Sequence, residues 1–199
     1  GGPAGSAAAI CAARLGARVL LVEATGCLGG MGTAGLVTAF DPMADGEKPL
    51  VGGIMREWVE TLYERGELGP DVTPDFWRRL DHRWTQFRVE GYKRLLDELA
   101  AKAGVDVRFF TRVIDADVDR DAGSVGGVVV HNIEGYRLVR ARAFLDGTGD
   151  AVLAHLCGAA CREAGRNAPP PMPATLTSLH AGIDWKALCE GSPNQQEAL

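Results

Sequence analysis

The sequence predicts an α/β fold built around a parallel β-sheet, and three observations indicate it. A glycine-rich turn opens an alanine-rich helix, an apolar strand that ends on a glutamate follows, and a DGTGD turn later returns the chain to the sheet. Consecutive apolar residues are typical of a strand in a parallel sheet, because helices cover both of its faces. The 199 residues are enough to bury a sizeable hydrophobic core.

The composition excludes several classes of partner. The net charge is −5 and the pI is near 5.4, whereas phosphate binding needs clustered Lys and Arg, so we expect no nucleic-acid partner. No apolar run reaches the roughly 18 residues that span a bilayer, which predicts a soluble, cytoplasmic protein unless a signal precedes residue 1. Five cysteines without paired spacing and four scattered histidines predict neither a disulfide framework nor a metal site.

The chain opens on the turn GGPAG, which leads into a helix predicted over residues 6–15. Dinucleotide-binding folds need glycines where the turn is tight, where backbone touches pyrophosphate, and where helix packs on strand. Gly2 and Gly5 fill the last two places, which makes Gly2, Pro3, Ala4 and Gly5 candidate cofactor contacts. The free N–H groups and the dipole of the helix N-terminus favour the negative charge of the pyrophosphate. The first glycine and the strand before the turn would precede residue 1, so we expect the domain to lack its first strand here.

Glu23 ends the strand predicted over residues 18–22 and lies 18 residues after Gly5. A carboxylate at this place accepts hydrogen bonds from both ribose hydroxyls and repels a 2′-phosphate. A glycine-rich turn alone is equally typical of an ordinary helix entry, but the turn together with Glu23 predicts a Rossmann-like dinucleotide site. The next residue, Ala24, is included among the candidate contacts.

A second glycine cluster, GCLGGMGTAG over residues 26–35, follows at once, and an NAD-binding domain has no need for one. The loop resembles that of the FAD-dependent oxidoreductase family within the glutathione-reductase-like flavoproteins, where Leu-Gly-Gly-Met-x-Thr-Ala-Gly follows the ribose-binding glutamate. The resemblance implies that the cofactor is FAD. It also implies that Gly29 and Gly30 approach the pyrophosphate and that Met31 and Thr33 lead toward the flavin ring.

The middle of the chain is predicted to carry a helical insertion over about residues 41–90. A helix over residues 53–65 places its apolar side chains on one stripe, whereas the aromatic-rich segment over residues 76–87 favours no single type of element. A helix over residues 90–103 follows. Four strands come next, over residues 105–110, 113–118, 124–132 and 136–143, and the last three are joined by turns short enough for hairpins.

The segment FLDGTGD over residues 144–150 resembles the Asp-Ala-Thr-Gly-Asp strand end of the same family, with Gly147 in place of the usual alanine. The resemblance implies that Thr148, Gly149 and Asp150 bring backbone close to the cofactor. It further implies that Val113 contacts the adenine through its backbone. A helix is expected to begin directly after this turn.

The prolines within residues 169–173 cannot be helical, because each lacks an N–H and has a fixed φ, so we place a domain boundary there. Residues 1–168 would form the FAD-binding domain. Residues 169–199 would form the boundary and the start of a truncated substrate domain, with residues 175–179 as its first strand. We expect the chain by itself to be inactive.

The resemblance, which covers residues 1–185, implies an oxidoreductase that transfers a hydride between a small-molecule substrate and flavin, with an electron acceptor or donor as a further partner. Two alternatives stay open: an FAD-holding or electron-relay subunit without catalysis, and an NAD-dependent dehydrogenase. Cys27 has no second cysteine close behind it, which argues against a dithiol mechanism. No residue can be named as catalytic acid or base, and neither the substrate nor the oligomeric state follows from the sequence.

Overall fold

A computed structural model describes residues 1–41, 43–69, 72–73, 85–171, 173–184 and 186–187. The helices are α1 (Pro3–Arg14), α2 (Gly53–Glu64), α3 (Val89–Ala103) and α4 (Val152–Leu156), and a 3-10 turn covers Gly30–Gly32. The strands are β1 (Leu20–Val22), β2 (Ala39–Phe40), β3 (Thr85–Gln86), β4 (Asp106–Arg108), β5 (Arg112–Asp119), β6 (Ser124–Asn132) and β7 (Gly135–Val139).

The strands form three small sheets. β1 and β4 pair in parallel, with Leu21 opposite Val107, whereas β5, β6 and β7 form an antiparallel meander and β2 pairs antiparallel with β3. The parallel pair needs a crossover connection, and helices supply it, because α2 and α3 both lie between β1 and β4 in the chain. This arrangement confirms the predicted α/β class, in which a parallel Rossmann-like sheet carries a β-meander.

The main hydrophobic core lies where α1, α2 and α3 pack on the parallel pair. Its fully buried side chains include Ile10, Leu28, Leu62, Leu95 and Leu96. A second, smaller cluster joins the meander to α4 through Val128, Val130 and Leu153. The larger core therefore fixes the position of α1 and β1, on which the candidate site is built.

An aromatic cluster within the main core consists of Phe40, Trp58, Phe87 and Tyr92. The Phe40 and Phe87 rings stack with their centroids 4.2 Å apart, and Tyr92 lies 4.9 Å from Phe87 and 5.9 Å from Trp58. Three buried polar atoms here, Trp58 Nε1, Tyr92 Oη and Thr85 Oγ1, find no hydrogen-bond partner among the described residues. Burial raises the pKa of the Tyr92 hydroxyl. Among the side chains, packing and not hydrogen bonding holds this part of the core.

Most of the predicted elements are confirmed with small changes at their ends. The first helix begins at Pro3, three residues earlier than predicted, because proline suits the first position of a helix. The third helix ends at Gly104, whose φ of +76° is the left-handed conformation that favours glycine. Strand β6 has the predicted bounds. Residues 74–84, which hold most of the predicted aromatic segment, lie outside the described residues.

The strand predicted over residues 175–179 is wrong. This stretch has no regular structure, and its side chains at Leu176 and Leu179 are 95% and 85% exposed. Strand propensity is realised only when a neighbouring strand supplies hydrogen bonds and a packing surface, and no described residue pairs with this stretch. No helix in the described part of the chain is long and apolar enough to cross a membrane.

Candidate cofactor site

The N-terminus of α1 is an uncapped helix end. Gly2 is the N-cap residue, no side chain makes a capping hydrogen bond, and the first turn contains no acidic residue. The buried Ser6 hydroxyl donates to the Gly1 carbonyl at 2.9 Å, which fixes the turn from inside. The amide N–H groups of Ala4 and Gly5 lie in the first turn and have no acceptor within the helix. Pro3 and Ala4 are exposed whereas Gly5 is buried, so the Ala4 N–H is the one that an anion can reach directly.

Four glycines from three segments, which we call the glycine junction, meet around this helix end: Gly2, Gly5, Gly30 and Gly147. A Cβ on Gly30 would lie 3.0 Å from the Gly2 Cα, and a Cβ on Gly147 would lie 2.9 Å from the Gly5 Cα. The loop after β1 is tied to the turn by a hydrogen bond of 2.8 Å from the Gly29 N–H to the Gly1 carbonyl. Backbone approaches backbone here without any intervening side chain.

This geometry fits a pyrophosphate. A dinucleotide needs free N–H donors and room for its phosphate oxygens directly at a helix N-terminus. Side chains on Gly30 or Gly147 would push the three segments apart, since each added Cβ would meet backbone atoms that cannot rotate away. The residues of the glycine junction therefore match the group that the sequence predicts at this place.

The two predicted side chains of the loop after β1 lie in different surroundings. Gly29 and Gly30 have φ values of +101° and +51°, which turn the chain sharply against α1. Met31 follows in the 3-10 turn and is 64% exposed. Thr33 is buried, and its hydroxyl donates to the Leu28 carbonyl at 2.6 Å. Thr33 therefore holds the loop from within, whereas Met31 is available to a ligand.

Glu23 lies at the carboxyl end of β1, and its side chain is buried. Its Oε1 accepts hydrogen bonds from the Thr25 N–H and hydroxyl, both at 2.7 Å, and its Oε2 lies 3.1 Å from the Gly1 nitrogen. Burial raises the pKa of Glu23, but the hydrogen bonds from Thr25 and the charge of the Gly1 amino group together hold the pKa below its usual value. A carboxylate has about four acceptor positions, so the ionised Glu23 retains capacity for a ribose hydroxyl. Ala24 beside it is exposed.

The segment that leads into β5 lies beside Glu23. The Thr111 N–H donates to the Glu23 carbonyl at 2.9 Å. Val113 pairs with Val130 and Asp115 with Val129, so Ile114 forms a β-bulge without a partner. Bulges bend a strand and are frequent next to binding sites. The backbone around Val113 is thus irregular at the place where an adenine contact is predicted.

Residues 146–150, which we call the return loop, are held in place by Asp146 and Thr148. The Asp146 carboxylate accepts hydrogen bonds from the Thr148 hydroxyl at 2.7 Å and the Ala154 N–H at 3.0 Å. Burial raises the pKa of Asp146, but the hydrogen bonds lower it by a larger amount. The net result is a pKa below the usual value. Gly149 and Asp150 are exposed.

Gly147 is the residue of the return loop that lies against the first turn of α1. The sequence shows it only as a replacement of the family's usual alanine. The missed signal was its small size. With only 2.9 Å between a Cβ at this position and the Gly5 Cα, glycine is the residue that fits without a shift of the backbone. Ser6 was missed as well, because a serine inside an alanine-rich helix has no distinctive pattern.

Backbone strain occurs near three of the predicted cofactor segments. Among the described residues, three that are not glycine have a left-handed φ: Leu36 at +57°, Phe110 at +50° and Ala151 at +53°. Leu36 follows the loop after β1, Phe110 precedes Thr111, and Ala151 follows the return loop. Such a conformation costs roughly 1–2 kcal/mol, and strained residues cluster at functional sites. The strain therefore supports the same location as the glycine junction.

Three other features bear on the location of the site. An open cleft of about 490 Å³ is lined by residues that include Tyr63, Leu68 and Phe87, and no predicted cofactor residue lines it. Cys27 is a free thiol whose sulfur lies 3.7 Å from the Thr33 hydroxyl. Within the described ranges, no group of three His, Cys, Asp or Glu side chains could hold a metal ion.

Comparison with known proteins gives three results. The sequence profile of the family described as FAD dependent oxidoreductase matches residues 1–197. A search of curated protein sequences gives no match. Solved structures with a similar fold include THI4 of Thermovibrio ammonificans, at 20% identity and a TM-score of 0.52 over 79% of this chain and 60% of that chain.

Two further structures are a triple mutant of the flavin-dependent brominase Bmp2 and p-nitrophenol 4-monooxygenase PnpA from Pseudomonas putida DLL-E4. The brominase has 18% identity and a TM-score of 0.52, with 77% of this chain and 38% of that chain covered. The monooxygenase has 18% identity and a TM-score of 0.51, with coverages of 79% and 41%. At these identities the three structures show a shared fold, and this chain spans less than two thirds of the length of each.

The profile match extends over nearly the whole chain, and the glycine junction provides the backbone cradle that a dinucleotide needs. The chain belongs to the FAD dependent oxidoreductase family, and its cofactor is FAD.

Proposed function

We propose that this protein is an oxidoreductase that transfers a hydride between a small-molecule substrate and flavin, with a second molecule as electron acceptor or donor. The observation that carries the proposal is the glycine junction at the uncapped N-terminus of α1, in a chain of this family. When bound, FAD supplies the group that accepts or donates the hydride, while the protein supplies orientation and electrostatics.

In this proposal the protein's own residues bind and orient the cofactor. The N–H groups in the first turn of α1 bind the pyrophosphate, and the absence of side chains at Gly30 and Gly147 lets the backbone of both loops pack against this helix end. The ionised Glu23 accepts hydrogen bonds from the ribose, since its lowered pKa keeps it charged at neutral pH.

The remaining predicted contacts extend along the cofactor. Val113 would contact the adenine through its backbone, and Met31 would lie toward the flavin. Thr148, Gly149 and Asp150 would line the path between them. The exposure of Met31, Thr148, Gly149 and Asp150 supports this assignment, because each is accessible to a ligand.

We further propose that residues 1–168 bind FAD and that residues 169–199 begin a substrate-binding part. The exposed and irregular stretch over residues 173–184 supports this division, because it contributes no side chain to either hydrophobic cluster. Location in the cytoplasm stays a prediction from the sequence.

The test is the visible absorbance of the purified natural protein, before and after reconstitution with FAD. We expect a bound oxidised flavin and a dissociation constant in the micromolar range or below, which corresponds to about −8 kcal/mol or better. Anaerobic reduction by candidate substrates would then distinguish an oxidoreductase from a subunit that only holds FAD. A protein that takes up NAD and no flavin would contradict the proposal.

A further inference from the structure

Phe110 is both strained and exposed at the carboxyl end of the parallel pair. It lies two residues after the end of β4, its φ is +50°, and its side chain is 71% exposed. A large apolar side chain in such a backbone conformation is unusual, because non-glycine residues with φ above zero are mostly Asn, Asp or His. The fold therefore presents an exposed aromatic ring at a fixed position beside the parallel strands.

Two contacts fix Phe110 to the segment that follows Glu23. The Phe110 N–H donates to the Thr25 carbonyl at 3.0 Å. The edge of the ring rests on Gly26, where an added Cβ would lie 2.6 Å from the ring Cζ and 3.2 Å from Cε1. A side chain at position 26 would displace the ring, so this glycine makes room for it. Most of the ring surface is left free.

The backbone next to the ring is hydrogen-bonded to the residue proposed to bind the ribose. Thr111, the next residue, donates its N–H to the Glu23 carbonyl at 2.9 Å. The adenine of FAD is bonded directly to that ribose. A ribose held by Glu23 therefore places the adenine near the carboxyl ends of β1 and β4. Ala24, the exposed residue that follows Glu23, is too small to cover a purine.

We propose that Phe110 stacks on the adenine ring of FAD and is a specificity-determining residue for the adenylate half of the cofactor. The inference rests on the proposed function, because it takes the ribose to be bound at Glu23. Aromatic side chains stack on the π-face of any base, and alanine substitution at such contacts reveals a substantial share of the binding energy. The strained backbone is then explained as the means of presenting the ring.

The experiment compares binding of FAD, ADP and FMN to the natural protein freed of flavin, measured by isothermal titration calorimetry. FMN lacks the adenine, so it reports on the remainder of the site. For Phe110→Ala we expect the dissociation constants of FAD and ADP to rise about tenfold while that of FMN is unchanged. Phe110→Trp keeps a stacking face and should retain wild-type affinity. Tyr63→Ala, which removes another exposed aromatic ring, is the matched control and should change none of the three constants.

Phe110→Gly guards against an effect on folding, because glycine adopts the required φ freely. We expect this variant to melt no lower than the Phe110→Ala variant and still to bind FAD about tenfold more weakly than the wild type. FAD affinity within twofold of wild type in both variants would overturn the stacking contact alone. An equal loss for FAD and FMN would overturn it too. A wild-type protein that binds no FAD would overturn the proposed function itself.

Discussion

Buried polar groups are treated in opposite ways by two regions of the molecule. Around the glycine junction, the hydroxyls of Ser6 and Thr33 and the carboxylate of Glu23 are buried, and each makes a hydrogen bond of 2.9 Å or less. In and beside the aromatic cluster, Thr85 and Tyr92 are equally buried, and their hydroxyls find no partner in the described parts of the chain.

The difference shows how each region is specified. Hydrogen bonds and close backbone contacts fix the junction to a single geometry, which a cofactor requires. Side-chain packing fixes the aromatic cluster, and its unpaired hydroxyls reduce stability without adding geometry. Substitutions in the glycine junction should therefore lower the free energy of unfolding. Removal of an unpaired polar atom from the aromatic cluster or beside it should raise the free energy of unfolding.

The largest expected effect comes from Gly147→Ala at the junction. The new Cβ would lie 2.9 Å from the Gly5 Cα and 3.0 Å from its nitrogen, and both are backbone atoms of the first turn of α1. We expect a loss of about 3 kcal/mol in the free energy of unfolding, at the upper end for overpacking, together with weaker FAD binding. Urea denaturation and flavin titration measure the two effects.

Gly52→Ala is the control for this variant, because a Cβ at Gly52 meets nothing within 4 Å and its φ is −139°. The prediction is demanding, since the family that the return loop resembles usually has alanine at the position of Gly147. A Gly147→Ala protein with unchanged stability and FAD affinity would show that the two segments separate easily and that the junction is not rigid.

A single type of substitution placed in both regions tests the comparison directly. Thr33→Val removes a hydroxyl bonded to the Leu28 carbonyl and should lower the free energy of unfolding by about 2 kcal/mol. Thr85→Val replaces a hydroxyl that has no partner among the described residues by a methyl group of similar size. It should raise the free energy of unfolding by about 1 kcal/mol. Both changes are measured by urea denaturation. Effects of the same sign would refute the contrast between the regions.

The last predicted effect is a pH dependence at Glu23. Because its pKa is lowered in the folded protein, the ionised form contributes stability above 4.5, the usual value, and this contribution is lost as the pH falls through the folded pKa. Glu23→Gln should cost about 1.5 kcal/mol at pH 7 and progressively less below pH 4.5. Chemical denaturation at several pH values measures it. Glu64→Gln, at an exposed position, should show no such trend, and a difference between wild type and Glu23→Gln that stays constant with pH would disprove the assignment.

Local patterns in the sequence predicted the elements but not the contacts between them. The third helix and β6 follow from apolar periodicity and from glycines at their ends, and these signals lie within a few residues of what they determine. The strand over residues 175–179 failed because β-propensity describes a fit to a neighbouring strand, which the pattern of one segment does not contain.

The candidate site was predicted in the same partial way. Gly2, Gly5 and Glu23 belong to a recurring spacing, so they could be found by reading along the chain. The approach of Gly147 to Gly5 and the left-handed backbone of Phe110 depend on tertiary structure. The internal role of Thr33 could not be predicted either. Its hydroxyl donates to a backbone carbonyl, and such an acceptor leaves no pattern in the sequence.

The glycine junction also has a consequence for how the protein is made. Gly5 and Gly147 are separated by about 140 residues, so at 5–20 residues per second the first turn leaves the ribosome on the order of ten seconds before its partner is synthesised. The glycine junction cannot close during that interval. Since a ligand that binds only the folded chain stabilises it by mass action, the cellular supply of FAD should govern how much of the newly made protein reaches the native state.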